Sequence, residues 1–351
     1  MTTVISKNAL ANKICPWLAD PLTQFESHKK EGRLAHGWLI AGQQGLGKLN
    51  LALVMANRLV NPETHWPQIL DSREAETAMA TRHEPQDHHP DLHWIRPEEG
   101  KRTISVDRIK GGNQKKITGI SQALQLTSHG GNAKVAILEA ADTMTKEAAN
   151  ALLKTLEEPS RNTYLFLVAH QPGRLPSTIR SRCQFLSVKG PGREASLAWL
   201  SSFDQTASLS DWSTLLDLTD RSPLQALRLY TEGFLAKNKE YLDFLDGVSK
   251  NKLDPQKVAD QWVKEDLDLA LTWLIKQLRK VIHLRLSSRL LETDKTDNDR
   301  TLTTIMNRIS IRKLFQIHDK SEYLILSLGR GINSELALKA LLLEFKAATE
   351  S

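Results

Sequence analysis

The sequence predicts an α/β domain built on a parallel sheet with helices on both faces, followed by a small helical segment and an all-helical carboxy-terminal domain. Three observations carry this. Short, wholly apolar runs alternate with helical patterns in the first half, and a glycine-rich loop of spacing GxxxxGK joins the first run to a helix. Beyond Arg193 the runs give way to apolar residues at helical spacing alone.

Taken in order, Gly37-Trp38-Leu39-Ile40-Ala41, Lys134-Val135-Ala136-Ile137-Leu138 and Thr163-Tyr164-Leu165-Phe166-Leu167-Val168 read as strands, each bounded by Gly, Asn or Pro. Their unbroken apolar character fits strands covered on both sides. Leu49 to Val60 reads as the helix behind the glycine loop. Thr145 to Glu158 is predicted helical because Ala148, Ala151, Leu152 and Leu156 recur at helical spacing, and Pro159 stops the run. Later, Trp199-Leu200, Leu215-Leu216-Leu218, Ala226-Leu227-Leu229 and most of Tyr241 to Ala347 follow helical patterns, apart from the polar break Glu292 to Arg300. A boundary at Gly190-Pro191-Gly192 gives three expected domains, 1–189, 190–232 and 233–351. Pro62 to Pro90, rich in His, Glu, Asp and Thr, is an excursion from the pattern.

Composition narrows the function classes. The chain has 351 residues, 40% hydrophobic and 25% charged, as globular proteins do, and is too long for one core. No apolar run approaches the ~20 residues that a bilayer span requires. The amino terminus carries no export signal, so a cytoplasmic location is expected. Two cysteines, Cys15 and Cys183, exclude a disulfide scaffold and any CxxC pair. The net charge of +6 is compatible with nucleic acid nearby without requiring it. Among Lys276, Arg279, Lys280, Arg285, Arg289, Arg308, Arg312 and Lys313, apolar residues recur at helical spacing, which reads as solvated faces of amphipathic helices.

The chemistry centres on the loop. In Gly42-Gln43-Gln44-Gly45-Leu46-Gly47-Lys48-Leu49 the glycines let the backbone wrap with N–H groups inward, and Lys48 would reach outer phosphates. Leu49, however, stands where a hydroxyl would hold Mg²⁺, and Asn50 is a poor substitute. The second strand should end in an acidic pair, one acid for Mg²⁺ and one for the attacking water. It ends Leu138-Glu139-Ala140-Ala141-Asp142, so Glu139 stands at the first position and alanine at the second. Asp142 lies too far along to substitute and reads as a helix-capping residue. The cradle is kept and the hydrolytic groups are lost, so weak or no ATP binding, no required cofactor and no metal are expected.

Ala149-Asn150-Ala151-Leu152-Leu153-Lys154-Thr155-Leu156-Glu157-Glu158-Pro159, followed by the third strand and Ser181-Arg182-Cys183, resembles the bacterial clamp-loader branch of the AAA+ ATPases. Together with the glycine loop these motifs cover the first half of the chain. His89-Pro90-Asp91, Val106-Asp107-Arg108-Ile109 and Gly331-Ile332-Asn333-Ser334-Glu335-Leu336 are similar to that branch as well. The resemblance implies a P-loop AAA+ domain, a small helical lid and an all-α collar for the three segments. It also implies that Arg182 reaches into a neighbouring subunit's ATP site, with Ser181 and Cys183 shaping its loop. A guanidinium can neutralise charge developing on γ-phosphate oxygens.

The degraded acids resemble a subunit that does not hydrolyse ATP. The implied partners are the tau/gamma and delta subunits, with the β sliding clamp and primed DNA met through the complex. Any polymerase activity would belong to the DNA polymerase III holoenzyme. Relatives commonly carry four cysteines between the glycine loop and the His-Pro-Asp segment; here Asn61 to His88 has none. His65, His83, His88, His89 and His93 crowd that region without a metal-ligand spacing. Arg221-Ser222-Pro223-Leu224 resembles the lid's nucleotide-sensing segment with leucine in place of its arginine, and Ala169-His170 lacks the usual threonine. The alternative is a working tau/gamma-type ATPase using Lys48 and Glu139.

Overall fold

The structure is a computed structural model that describes residues 9–81, 90–98, 101, 103–111, 119–125, 128, 132–204, 206–286, 297–328 and 332–350. His83, His88, His89, Arg289, Gly331 and most of the expected polar break lie outside them. The rest of that break, Asp297 to Arg300, begins the helix Asp297–Asn307. By packing, the chain divides into two compact units. One holds Met1–Ala207 and Arg221–Arg228, the other Ser208–Asp220 and Leu229–Ser351, so the stretch 190–232 is shared between them.

Among its described residues the first unit contains seven strands: β1 (Lys13–Ile14), β2 (Gly37–Ala41), β3 (Gln68–Ile69), β4 (Leu92–Ile95), β5 (Lys134–Leu138), β6 (Thr163–Ala169) and β7 (Gln184–Ser187). Five form one parallel sheet in the order β4-β5-β6-β2-β7, and β1 and β3 pair separately. The register sets Trp38 opposite Phe166 and Gln184, and Ile137 opposite Phe166. Every residue of β2 and β5 is buried, as strands covered on both faces must be.

One face carries Leu39, Ala136, Leu138, Leu165 and Leu167 in a core with Ala148, Leu152 and Leu156 of the helix Lys146–Glu157. Thr145 caps that helix by accepting the Ala148 N–H at 3.2 Å. On the other side Phe25, from the helix Ala19–Lys30, meets Trp38 and Phe166 edge to face at 5.4 and 6.0 Å. The helix Lys48–Val60 is buried along most of its length.

The second unit is helical. Tyr241, Trp262 and Trp273 form its aromatic centre, with ring centroids 5.2 to 6.3 Å apart and the Trp273 indole donating to Asn238 Oδ1 at 2.7 Å. Several basic residues expected on solvated faces are tied down instead. Arg285 donates to the carbonyls of Ile309 and Met306, holding the end of a helix whose last C=O groups need partners. Lys276 reaches the Leu218 carbonyl and Asp220, and Lys280 pairs with Asp217. Among the described residues, no helix is long and apolar enough to cross a membrane.

Candidate functional site

The glycine loop follows β2 and opens the helix Lys48–Val60, the context its spacing requires. Gly45 and Gly47 take φ of 76° and 79°, the left-handed region that glycine enters at little cost. Gly42 has no room for a side chain, because a Cβ there would overlap the Val188 carbonyl oxygen.

Lys48 does not reach outward. Its ammonium donates to the carbonyls of Gly42 at 2.7 Å and Gln43 at 2.6 Å, and the residue is 3% exposed. The lysine is thus folded onto its own loop. Burial holds its pKa down at about 8, against an opposing pull from the Asp142 carboxylate.

That value carries a prediction with a definite sign. Lys48 titrates near 8 when folded and near its ordinary 10.5 when unfolded, so between these values the unfolded chain binds the extra proton and stability rises with pH. Relative to Lys48→Met, which has no charge to lose, wild type should gain on the order of 2 kcal/mol between pH 7.5 and 9.5 in urea unfolding. A stability difference that does not change with pH would mean that the ammonium is solvated.

The chain's own side chains surround the loop. Trp17 Nε1 donates to the Leu46 carbonyl at 2.9 Å, and Ser222 Oγ donates to the Gln44 carbonyl at 2.8 Å. Leu18, Cys15 and Leu224 crowd Gly47, where a Cβ would lie 3.1, 3.3 and 3.4 Å from them. Leu224, expected from the resemblance to replace a sensor arginine, lies over the loop as an apolar side chain. Asn50, a candidate stand-in for the Mg²⁺-holding hydroxyl, does other work. Its Oδ1 accepts the Cys15 N–H at 3.0 Å, while its Nδ2 donates to Leu10 O and Lys13 O, both at 2.7 Å. Burial pushes the Cys15 thiol far up, as expected of a packing cysteine.

The acids are also redistributed. Glu139 accepts from the Trp94 indole at 3.2 Å. Asp142 does not cap the helix that follows, because Thr145 does so. Instead its Oδ2 accepts the backbone N–H groups of His170 and Gln171 at 3.2 and 2.8 Å, joining the end of β5 to the end of β6. Its Oδ1 and His170 Nδ1 are buried without a hydrogen-bond partner among the described residues. Burial, then the Lys48 charge, holds the His170 pKa down, and Asp142 opposes them. Ala140, where the sequence reading looks for the second acid, has φ of 57° and carries no carboxylate.

Ser181-Arg182-Cys183 lies just before β7, at the sheet edge. Cys183 packs against the core, and burial pushes its thiol up to about 12. Ser181 Oγ donates to the Thr178 carbonyl at 3.2 Å, a loop-shaping bond. Arg182 is exposed at the surface; its Nη1 donates to Thr178 O at 3.0 Å and its Nη2 lies 2.7 Å from Glu157 Oε1. Among the described residues no group of three or more His, Cys, Asp and Glu side chains is placed to hold a metal.

Sequence reading missed the loop cover and the Glu157 contact. Ser222 and Gln44 are 178 residues apart, and nothing local in either stretch announces their bond.

The family described as "DNA polymerase III, delta subunit" matches residues 18–191, and its carboxy-terminal counterpart matches 232–347. The DNA polymerase III subunit delta' of Pseudomonas aeruginosa is 33% identical over 267 residues, 74% of each chain. That of Escherichia coli is 32% identical over 217 residues, 61% of this chain and 60% of its own. A crystal structure of a DNA polymerase III gamma subunit-related protein from Thermotoga maritima aligns over 93% of this chain and 99% of its own, at 19% identity and a TM-score of 0.44. With glycine loop, Leu-Glu-Glu-Pro helix and Ser-Arg-Cys turn in place, the chain belongs to the DNA polymerase III subunit delta' family.

Proposed function

We propose that this chain is a non-hydrolysing subunit of the clamp loader of the DNA polymerase III holoenzyme, acting in the cytoplasm. It leaves its own phosphate loop empty and completes the ATP site of a neighbouring tau/gamma subunit with Arg182. Together with the delta subunit, the complex opens the β sliding clamp and places it on primed DNA.

The observation that carries this reading is the division of labour between two loops of one unit. The phosphate loop is bonded to its own lysine and covered by Leu18 and Leu224. Arg182, by contrast, stands exposed with its backbone anchored by Cys183. The nucleotide chemistry open to such a chain lies in a partner's site. The reading places a surface for assembly in the second unit. Phe315, Tyr323 and Leu326 on one helix and Leu336 and Leu343 on the next are 42–67% exposed, apolar side chains that support this reading.

The isolated chain tests the first half of the reading. We expect no measurable ATP turnover and no ATP affinity tighter than about millimolar by calorimetry, the range left to a cradle without its metal ligands. Turnover abolished by Lys48→Ala would show a working ATPase and overturn it.

A further inference from the structure

The helix Lys146–Glu157 and the Ser-Arg-Cys turn meet over Gly37. A Cβ on Gly37 would lie 2.8 Å from Leu156 Cδ2, 3.3 Å from the Arg182 carbonyl and 3.3 Å from Cys183 Sγ. Each charged residue of the Glu157–Arg182 pair therefore has a chain neighbour held in the core, Leu156 beside Glu157 and Cys183 beside Arg182. The backbones are fixed and the two side chains reach the surface at their tips, 46% and 38% exposed.

Glu157 is poorly placed for helix stability. It is the last residue of its helix, where the carbonyl end disfavours negative charge, and Glu158 follows it. A carboxylate that works against its own helix, yet lies 2.7 Å from an arginine, points to a role for that contact.

The contact has a consequence for any phosphate that Arg182 meets. While Nη2 is held by Glu157 and Nη1 by the Thr178 carbonyl, two of the five N–H donors of the guanidinium are engaged and the pair is locally neutral. A triphosphate is drawn to the same positive charge and repels the Glu157 carboxylate that neutralises it. Pairing with Glu157 and bonding to a phosphate are competing states of one guanidinium.

We propose that Glu157 is a positioning residue that parks Arg182 on its own chain until the phosphates of a neighbour's nucleotide compete for it. The proposal rests on the finger role assigned to Arg182 above. An exposed pair makes a weak latch, so the apparent affinity for ATP is reduced by only a small factor.

The test is ATP hydrolysis by the reconstituted complex. Glu157→Gln keeps size and removes charge, and Glu157→Ala removes the contact. Both should lower the KM for ATP by about 1.4- to 5-fold, the range that exposed ion pairs span, with kcat unchanged. The difference from wild type should shrink in high salt, which screens the pair, and vanish in an Arg182→Ala background. A merely structural glutamate would show neither dependence. An unchanged or raised KM, in a complex where Arg182→Ala still lowers hydrolysis, overturns the latch and leaves the finger standing. If Arg182→Ala has no effect on hydrolysis, the finger reading itself fails, and the latch with it.

Discussion

Arg182→Ala is expected to abolish DNA-stimulated ATP hydrolysis at the one site this chain is proposed to complete, while the complex still assembles. Trans arginines of this kind contribute on the order of 10³-fold or more, because a guanidinium that already meets the bound phosphates gains further as charge develops on the transferring phosphoryl group. The summed rate of a complex with several ATP sites will fall only by the share of the affected site. Clamp loading onto primed DNA and single-turnover hydrolysis are therefore the sharper readouts. Assembly should survive, since Arg182 is a surface residue, whereas the exposed apolar side chains assigned to assembly lie on the helices Ile311–Ser327 and Ser334–Glu350. Arg182→Lys should rescue little: a lysine keeps the charge but has no planar fork to grip two oxygens. Unchanged hydrolysis and loading in the alanine variant would make Arg182 structural.

The strands show what a sequence can and cannot carry. The three read in advance, β2, β5 and β6, are the central strands of the sheet, and the two missed, β4 and β7, are its edges. A central strand in a doubly covered sheet is apolar throughout and announces itself. In β7 only Leu186 is buried, and β4 carries half-buried His93 and Trp94, so neither leaves an apolar run. The site divides in the same way. Glycine spacing, the lost hydroxyl and the lost second acid were legible because the loop and the strand end are contiguous. Asp142 was misread as a cap because its partners, the N–H groups of His170 and Gln171, arrive from the far end of another strand. The cover over the loop draws on residues near 15 and near 222, and the parking of Arg182 on Glu157 likewise joins segments that are neighbours only in the fold.

Gly45→Ala should be the most damaging small substitution at the loop, and it measures how firmly the cover is seated. Gly45 has φ of 76°, where a Cβ costs roughly 1–2 kcal/mol by itself. That Cβ would also overlap Ser222 Oγ and come within 2.5 Å of Gln225 Cγ. Ser222 is fully buried, so it cannot swing into solvent, and moving it breaks the bond to the Gln44 carbonyl, a further ~1 kcal/mol. The sum is a loss of about 2–3 kcal/mol, read as a lower urea midpoint at unchanged slope. Gly173→Ala serves as the control. A Cβ there meets nothing within 4 Å, and the change should stay within about 0.5 kcal/mol. A cycle with Ser222→Ala separates strain from collision: the second substitution removes the overlapping hydroxyl, so the pair should cost less than the two single losses added together. If Gly45→Ala instead costs under about 1 kcal/mol, the segment around Ser222 and Leu224 is loosely held. A loosely held cover could lift to admit a nucleotide, and the empty-loop reading would lose its physical basis.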